Sequence, residues 1–104
     1  MLFMVKIIVR LPGDWPKEKL EEINKNETAR SVQFVKDGKL KRIFRIVGQR
    51  ANFSIWEVGS PEELHATLTS LPLHPYMDVT VWPLMKHTTT QAWEKAYGTM
   101  PPFQ

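Results

Sequence analysis

The chain has 104 residues, 42% of them hydrophobic and 24% charged, which is the size and composition of one globular domain. It contains no cysteine, which excludes disulfides, thiolate chemistry and cysteine-ligated zinc and favours a cytoplasmic location. The net charge of +3 is too small to indicate nucleic-acid binding. No apolar run approaches the ~20 residues that span a bilayer, and the first residues lack a signal-peptide pattern. We therefore expect neither a nucleic-acid nor a membrane partner.

The first two predicted elements are a strand and a long helix. Apolar residues alternate from Leu2 to Arg10, which predicts a strand with Val5, Ile7 and Val9 on one face. The stretch Lys17–Lys36 predicts an amphipathic helix. Its predicted buried face comprises Leu20, Ile23, Phe34 and Val35.

Glu27 lies on the apolar stripe of this helix, where a charge is unfavourable. It is seven residues from both Leu20 and Phe34, and seven steps of about 100° return to within roughly 20° of the starting direction. Burial of a carboxylate costs several kcal/mol unless it is paired or protonated, and it raises the pKa. Glu27 is therefore either a general base or acid working near neutral pH, or a structural carboxylate held by a core arginine or at the wet margin of the stripe.

Two more strands follow, joined by a loop at Gly48–Arg50. In the second strand, Lys39–Val47, strict alternation places Leu40 on the face opposite Arg45. The third strand is Ala51–Val58. One of its faces carries Asn52, Ser54 and Trp56.

The remaining elements are a second helix, a fourth strand and an aromatic tail. Ser60 is a predicted N-cap, with proline at the next position and Glu63 placed for a capping box; Pro72 ends the helix. The fourth strand is Met77–Trp82. Gln91–Tyr97 allows one or two helical turns, and we expect this tail to dock on a neighbouring subunit because it is rich in aromatic residues. Those residues are Trp93, Tyr97 and Phe103.

The order β-α-β-β-α-β predicts a ferredoxin-like α+β fold, with an antiparallel four-stranded sheet and both helices on one face. The strands carry apolar residues on both faces. The second face is therefore expected to pack on another sheet, as in a dimeric α+β barrel, which predicts a homo-oligomer.

Two long motifs resemble the muconolactone isomerase family. Arg45–Val58 resembles the central hairpin of these proteins, and Leu71–Val79 resembles their helix-to-strand linker. The resemblance covers residues 1–90 and leaves 91–104 as a C-terminal extension. It implies a subunit of a ring-like homo-oligomer, commonly a decamer, that converts muconolactone to 3-oxoadipate enol-lactone in the β-ketoadipate branch of aromatic degradation. The implied reaction is a proton shuttle that uses no cofactor, and related chloromuconolactone dehalogenases expel chloride on the same scaffold.

The resemblance also implies roles for individual residues. Glu27 matches the family's helix-one glutamate and becomes the candidate catalytic base. Arg45 is a candidate clamp for the substrate carboxylate, or a structural partner of Glu27 or Glu57. Asn52 and Ser54 are candidate donors to an oxyanion, although small polar residues facing inward also bond to backbone. The full set of candidate substrate-binding residues is Arg45, Gln49, Arg50, Asn52, Ser54, Tyr76 and His87.

Some positions depart from the family pattern. Met4 and the hairpin-tip residues Gln49 and Arg50 stand where the family carries histidine, histidine and tyrosine, and Asn24 replaces a lysine. These departures keep three alternatives open: a lactone isomerase, a dehalogenase or isomerase of another cyclic substrate, and a non-catalytic small-molecule-binding protein. No histidine pair has metal-ligand spacing with a nearby carboxylate, so no metal is expected.

Overall fold

The computed structural model describes residues 1–102, and the predicted α+β fold is confirmed there. Four strands form one antiparallel sheet in the order β2-β3-β1-β4. A short 3₁₀ turn, His74–Tyr76, precedes the last strand, and no described helix is long and apolar enough to cross a bilayer. The elements are β1 Leu2–Val9, α1 Lys17–Lys36, β2 Leu40–Arg45, β3 Ala51–Glu57, α2 Pro61–Thr69, β4 Met77–Leu84 and α3 Thr88–Tyr97.

The core lies between the sheet and helices α1 and α2, on what we call the helix face of the sheet. The predicted alternation in β1 is confirmed, because Val5 and Ile7 are buried while Lys6 between them is only half-buried. Phe34 of α1 packs edge-on against Trp56 of β3, with 5.6 Å between ring centroids. Leu64, Leu68 and Leu71 close the core from the α2 side.

A β-bulge in β2 corrects the predicted facing of its residues. Leu40 pairs with Trp56, but the register shifts between Leu40 and Arg42, so that Ile43 pairs with Ser54 and Arg45 with Asn52. A bulge adds one residue to one strand and reverses the facing of everything beyond it. Leu40 and Arg45 therefore share the helix face, and the prediction that they lie on opposite faces was wrong.

The helix ends follow the predicted capping chemistry with one difference. The Ser60 hydroxyl accepts a hydrogen bond from the Glu63 backbone N–H at 3.1 Å, as an N-cap should. The Glu63 carboxylate accepts from the Gly59 N–H rather than from the cap residue itself.

In α1, Val35 is 53% exposed, so its predicted burial was wrong within this subunit.

Regular secondary structure in the C-terminal part of the chain extends further than predicted. β4 continues through Pro83 to Leu84, which is possible because β4 is an edge strand and needs no partner for every N–H. The His87 Nδ1 atom then accepts from the Thr89 N–H at 3.0 Å and caps α3. Phe103, which was predicted to belong to the aromatic tail, lies outside the described residues.

The second side of the sheet, its outer face, carries several large apolar side chains and lies opposite the face on which α1 and α2 pack. Met4 lies between Ile55 and Trp82 in the strand register, and Phe53 faces Trp82 with 6.5 Å between ring centroids. The Lys6 ammonium lies 5.8 Å from the centroid of the Phe53 ring. Trp82 remains 39% exposed, so this face is only partly covered within one subunit.

Candidate functional site

A cavity of about 570 Å³ lies between α1 and the helix face of the sheet, a volume typical of small-molecule sites. It occupies the end of the sheet where β1 finishes and β3 begins, so Val9, Ala51 and Met77 lie beside it. Trp56 and Leu40 form its buried apolar wall. The bulge in β2 contributes to the cavity, because it turns Ile43 and Arg45 toward α1.

Glu27 lines this cavity from α1 and is half-buried. Its Oε1 atom accepts a hydrogen bond from the backbone N–H of Leu73 at 3.2 Å. Its Oε2 atom is buried and has no hydrogen-bond partner among the described residues. Burial raises the pKa of Glu27, and the hydrogen bond from Leu73 offsets part of that effect. One carboxylate oxygen is thus fixed by the backbone, while the other is buried with its hydrogen-bonding capacity unused.

Two arginines line the same cavity as Glu27. Arg45 belongs to the end of β2 and Arg50 to the loop before β3. Within residues 1–102 no ion pair joins either arginine to Glu27 or to Glu57, whose carboxylate lies 3.6 Å from the N-terminal amine. The structural alternative for Arg45, a partner of Glu27 or Glu57, therefore has no contact to support it.

Asn52 and Ser54 also line the cavity, but their side chains differ in bonding. The Ser54 hydroxyl donates to the Val5 carbonyl at 3.4 Å and accepts from Trp56 Nε1 at 2.7 Å. The Asn52 Oδ1 atom is buried without a partner among the described residues. Asn52 thus keeps unused hydrogen-bonding capacity, whereas the Ser54 hydroxyl is already committed to Val5 and Trp56.

Three predicted residues lie outside this cavity. Gln49 is exposed in the hairpin loop. The Tyr76 ring packs edge-on against Trp15, with 4.9 Å between centroids. His87 caps α3. Their roles in substrate binding stay predictions.

Further polar groups in the cavity were not among the residues predicted from the sequence. Thr28 and Ser31 line it from α1, together with Asn24. A signal for them exists, since positions 24, 27, 28 and 31 follow the i, i+3, i+4, i+7 spacing of one helix face. The Leu73 N–H had no such signal, because a backbone donor has no sequence pattern. Within residues 1–102 no group of three or more histidine, aspartate or glutamate side chains could hold a metal ion.

These features define a small ferredoxin-like α+β protein whose ligand cavity is built around a helix carboxylate and two arginines. Residues 1–90 match the family model of muconolactone delta-isomerase. The chain belongs to this isomerase family.

Curated relatives and solved structures support the assignment. The muconolactone delta-isomerase 1 of Acinetobacter lwoffii is 46% identical over 90 residues, covering 86% of this chain and 94% of the relative. The muconolactone delta-isomerase of Cupriavidus pinatubonensis is 43% identical, covering 86% of this chain and 98% of the relative. A crystal structure of muconolactone isomerase superposes with a TM-score of 0.81 at 39% identity, covering 86% of this chain and 93% of that one. A dehydrochlorinase from Burkholderia phenoliruptrix shares the fold, with a TM-score of 0.63 at 19% identity over 86% of this chain and 98% of that one.

Proposed function

We propose that this protein is a cofactor-independent isomerase that moves a proton and a double bond in muconolactone or a similar small unsaturated lactone, during degradation of aromatic compounds. The family membership supports the reaction class. The observation that carries the proposal is Glu27, a half-buried carboxylate with a raised pKa and one unpartnered oxygen in a ligand-sized cavity.

The chemistry requires one base that both takes and returns a proton. The carboxylate of Glu27 removes the ring proton made acidic by the lactone carbonyl, and the electron pair moves onto the carbonyl oxygen as a dienolate. The protonated Glu27 then delivers the proton to another ring carbon, so the double bond shifts and the enzyme is regenerated. The Leu73 N–H, bonded to Oε1, holds the carboxylate in place during both steps. A pKa raised toward neutrality favours both transfers.

The other cavity groups divide the remaining tasks. Arg45 and Arg50 provide cations for the substrate's side carboxylate, because guanidinium groups bind carboxylates in a bidentate manner. Asn52 offers an amide N–H to the dienolate oxygen, because it lines the cavity and an asparagine side chain carries two such donors. Gln49, Tyr76 and His87 lie outside the cavity of one subunit, and they stay candidates for substrate binding in the proposed homo-oligomer.

The test is Glu27→Gln, which keeps the shape of the side chain and removes its basicity. Turnover of muconolactone, followed by ultraviolet absorbance, should fall about 10²–10⁴-fold, the usual contribution of a general base. The matched control is Glu22→Gln, on the exposed part of the same helix. Turnover by the Glu27 variant at the rate of the control would reject this mechanism. Chloride release from a chlorinated lactone, measured in parallel, identifies a dehalogenase.

We also propose that the functional unit is a cytoplasmic homo-oligomer whose subunits associate through the outer face of the sheet. The partly exposed Phe44, Trp82 and Leu84 support this surface, because an apolar sheet face is rarely left in water. Light scattering after gel filtration gives the number of subunits, and Trp82→Lys should reduce it. An unchanged subunit number in that variant would place the interface elsewhere.

A further inference from the structure

Helix α3 carries an apolar stripe that its own subunit leaves partly uncovered. Trp93 and Tyr97 stack on each other with 4.6 Å between ring centroids, and Tyr97 is 74% exposed. The Trp93 indole donates to the Thr99 carbonyl at 3.3 Å, a contact within the same segment. Ala92 and Ala96 lie on one side of the helix, one turn apart, and the helix ends at Tyr97, before Gly98. Such a stripe is the feature by which a helix packs into a groove.

Local contacts hold α3 away from the body of its own subunit. Lys86 forms an ion pair with Glu94 at 2.8 Å, and the His87 cap fixes the start of the helix. The molecule measures 55 × 30 × 23 Å, with a radius of gyration of 16.0 Å against about 13 Å for a compact chain of this length. A 10-residue helix of about 15 Å and a three-residue linker of about 10 Å account for the extra length.

A groove between α2 and β4, the α2–β4 groove, has the shape and chemistry to receive such a stripe. Its volume is about 380 Å³, enough for an indole ring. Leu64 and Leu68 of α2 form one wall, and Val79 and Val81 of the edge strand β4 form the floor. Both valines are more than a third exposed. Apolar side chains at an open edge strand invite a partner.

Charge selects this groove over the Glu27 cavity as the place where α3 binds. Lys95 flanks the stripe of α3, and Glu62 stands beside Pro61 at one end of the α2–β4 groove. Neither Lys95 nor Glu62 forms an ion pair within residues 1–102. The lining of the Glu27 cavity instead carries two arginines, Arg45 and Arg50, against the single carboxylate of Glu27, and this excess of positive charge would repel Lys95.

We propose that α3 is an exchanged arm: its Trp93–Tyr97 stripe packs into the α2–β4 groove of a second copy of this chain, whose own α3 returns the contact. Both surfaces lie beside β4, so a two-fold axis near this strand satisfies both at once. Three residues separate β4 from α3, and the Lys86–Glu94 ion pair ties this linker to the helix. The interface uses helix-face and edge residues, so it is separate from the outer face.

The absence of native cysteine makes cross-linking the direct test. Ala96→Cys places a thiol on the stripe, and Thr69→Cys places one on the groove wall. The two single variants, one carrying a mass tag, are mixed and treated with a short bis-maleimide. The covalent product should contain one copy of each. Ala96→Cys mixed with Thr28→Cys is the matched control, because Thr28 is also a helical threonine but lines the Glu27 cavity. We expect at least tenfold more product from the first pair.

Three results would overturn the proposal. The Thr28 pair could give more product, which would place the arm over the Glu27 cavity. The double variant Thr69→Cys/Ala96→Cys could link within one chain at high dilution, which would place the arm in its own groove. Neither pair could link above the background of a denatured sample, which would leave α3 unpartnered.

A second variant keeps the test independent of the engineered thiols. Trp93→Ala leaves the body of the subunit intact and should weaken association through the arm about 30-fold, the loss typical of a buried aromatic anchor. Val81→Lys, on the groove floor, should reduce the Ala96–Thr69 product to a similar degree. Val47→Lys, in the exposed hairpin loop, should leave it unchanged. Cross-linking that is equal in all three variants would also contradict the exchanged arm.

Discussion

Ser54→Ala separates a structural role of this residue from a role in substrate binding. Ser54 lines the cavity, but its hydroxyl already donates to the Val5 carbonyl and accepts from Trp56 Nε1. Trp56 is 2% exposed, so removal of the hydroxyl leaves its indole N–H buried without its present acceptor. We therefore expect the substitution to affect stability far more than substrate affinity.

The expected magnitude follows from the orphaned donor. A buried N–H without a partner costs about 1–3 kcal/mol, and the longer bond to Val5 adds little, so the total is about 2 kcal/mol. The unfolding entropy of 104 residues is about 0.22 kcal/mol/K, at about 2.1 cal/mol/K per residue. The midpoint of thermal unfolding should therefore fall by about 9 °C. In a Trp56→Phe background no donor is orphaned, and Ser54→Ala should cost less than about 0.5 kcal/mol.

Urea unfolding of the wild type, Ser54→Ala, Trp56→Phe and the double variant measures the coupling between the two side chains. All four proteins are compared at one subunit concentration, because association adds to apparent stability. The KM of each folded variant is measured beside it. Coupling of about 1.5 kcal/mol with KM changed less than about twofold supports the structural role. Unchanged stability with a KM raised tenfold would refute the reasoning and assign the hydroxyl to the substrate.

Four further predictions concern other residues of the cavity and the start of α2. Glu27→Gln should be more stable than the wild type at pH 7, because the raised pKa of Glu27 makes its ionised form unfavourable in the fold. In thermal unfolding this advantage should disappear as the pH falls to about 4, and an advantage that grows as the pH falls would contradict the prediction. Arg45→Ala should raise KM about tenfold or more with kcat nearly constant, and Arg45→Lys should recover part of the lost substrate affinity. A fall in kcat alone would exclude Arg45 as the residue that binds the substrate carboxylate. Asn24→Lys, one turn before Glu27 in the cavity, should lower the pKa of Glu27 and extend kcat/KM to lower pH, whereas the exposed Asn26→Lys should not. Ser60→Ala should cost about 1 kcal/mol of unfolding free energy in urea titrations, and a change below about 0.3 kcal/mol would rule out the cap.

Features set by short-range chemistry could be predicted from the sequence. The alternation around Val5 and the Ser60 cap each depend on a few neighbouring residues, and both are confirmed. The bulge after Leu40 could not be predicted, because a one-residue shift depends on which residues of the partner strand fill the space opposite. The extension of β4 through Pro83 depends likewise on its place at the sheet edge, which tertiary structure decides.

The candidate site was predictable in part for the same reason. Helical spacing identified Glu27, since the direction of a helical side chain follows from its position alone. The partner of Glu27 came from a loop 46 residues away, through the backbone N–H of Leu73, and no side-chain pattern encodes that contact. Arg45 joined the site only because the bulge turned it inward.

The proposed function requires one small cavity both to bind a carboxylate and to keep Glu27 basic. A cation within about 4–6 Å of Glu27 would lower its pKa, yet a carboxylate substrate requires a cation. Arg45 and Arg50 lie on β2 and the hairpin loop, while Glu27 lies on α1; burial raises the pKa of Glu27 and the Leu73 hydrogen bond lowers it, with no contribution from either arginine. Burial thus desolvates Glu27 without giving it a neutralising partner. A substrate that spans the cavity, with its carboxylate at the arginines and its acidic carbon at Glu27, uses both ends at once, which is the geometry that a lactone bearing a carboxylate side chain supplies.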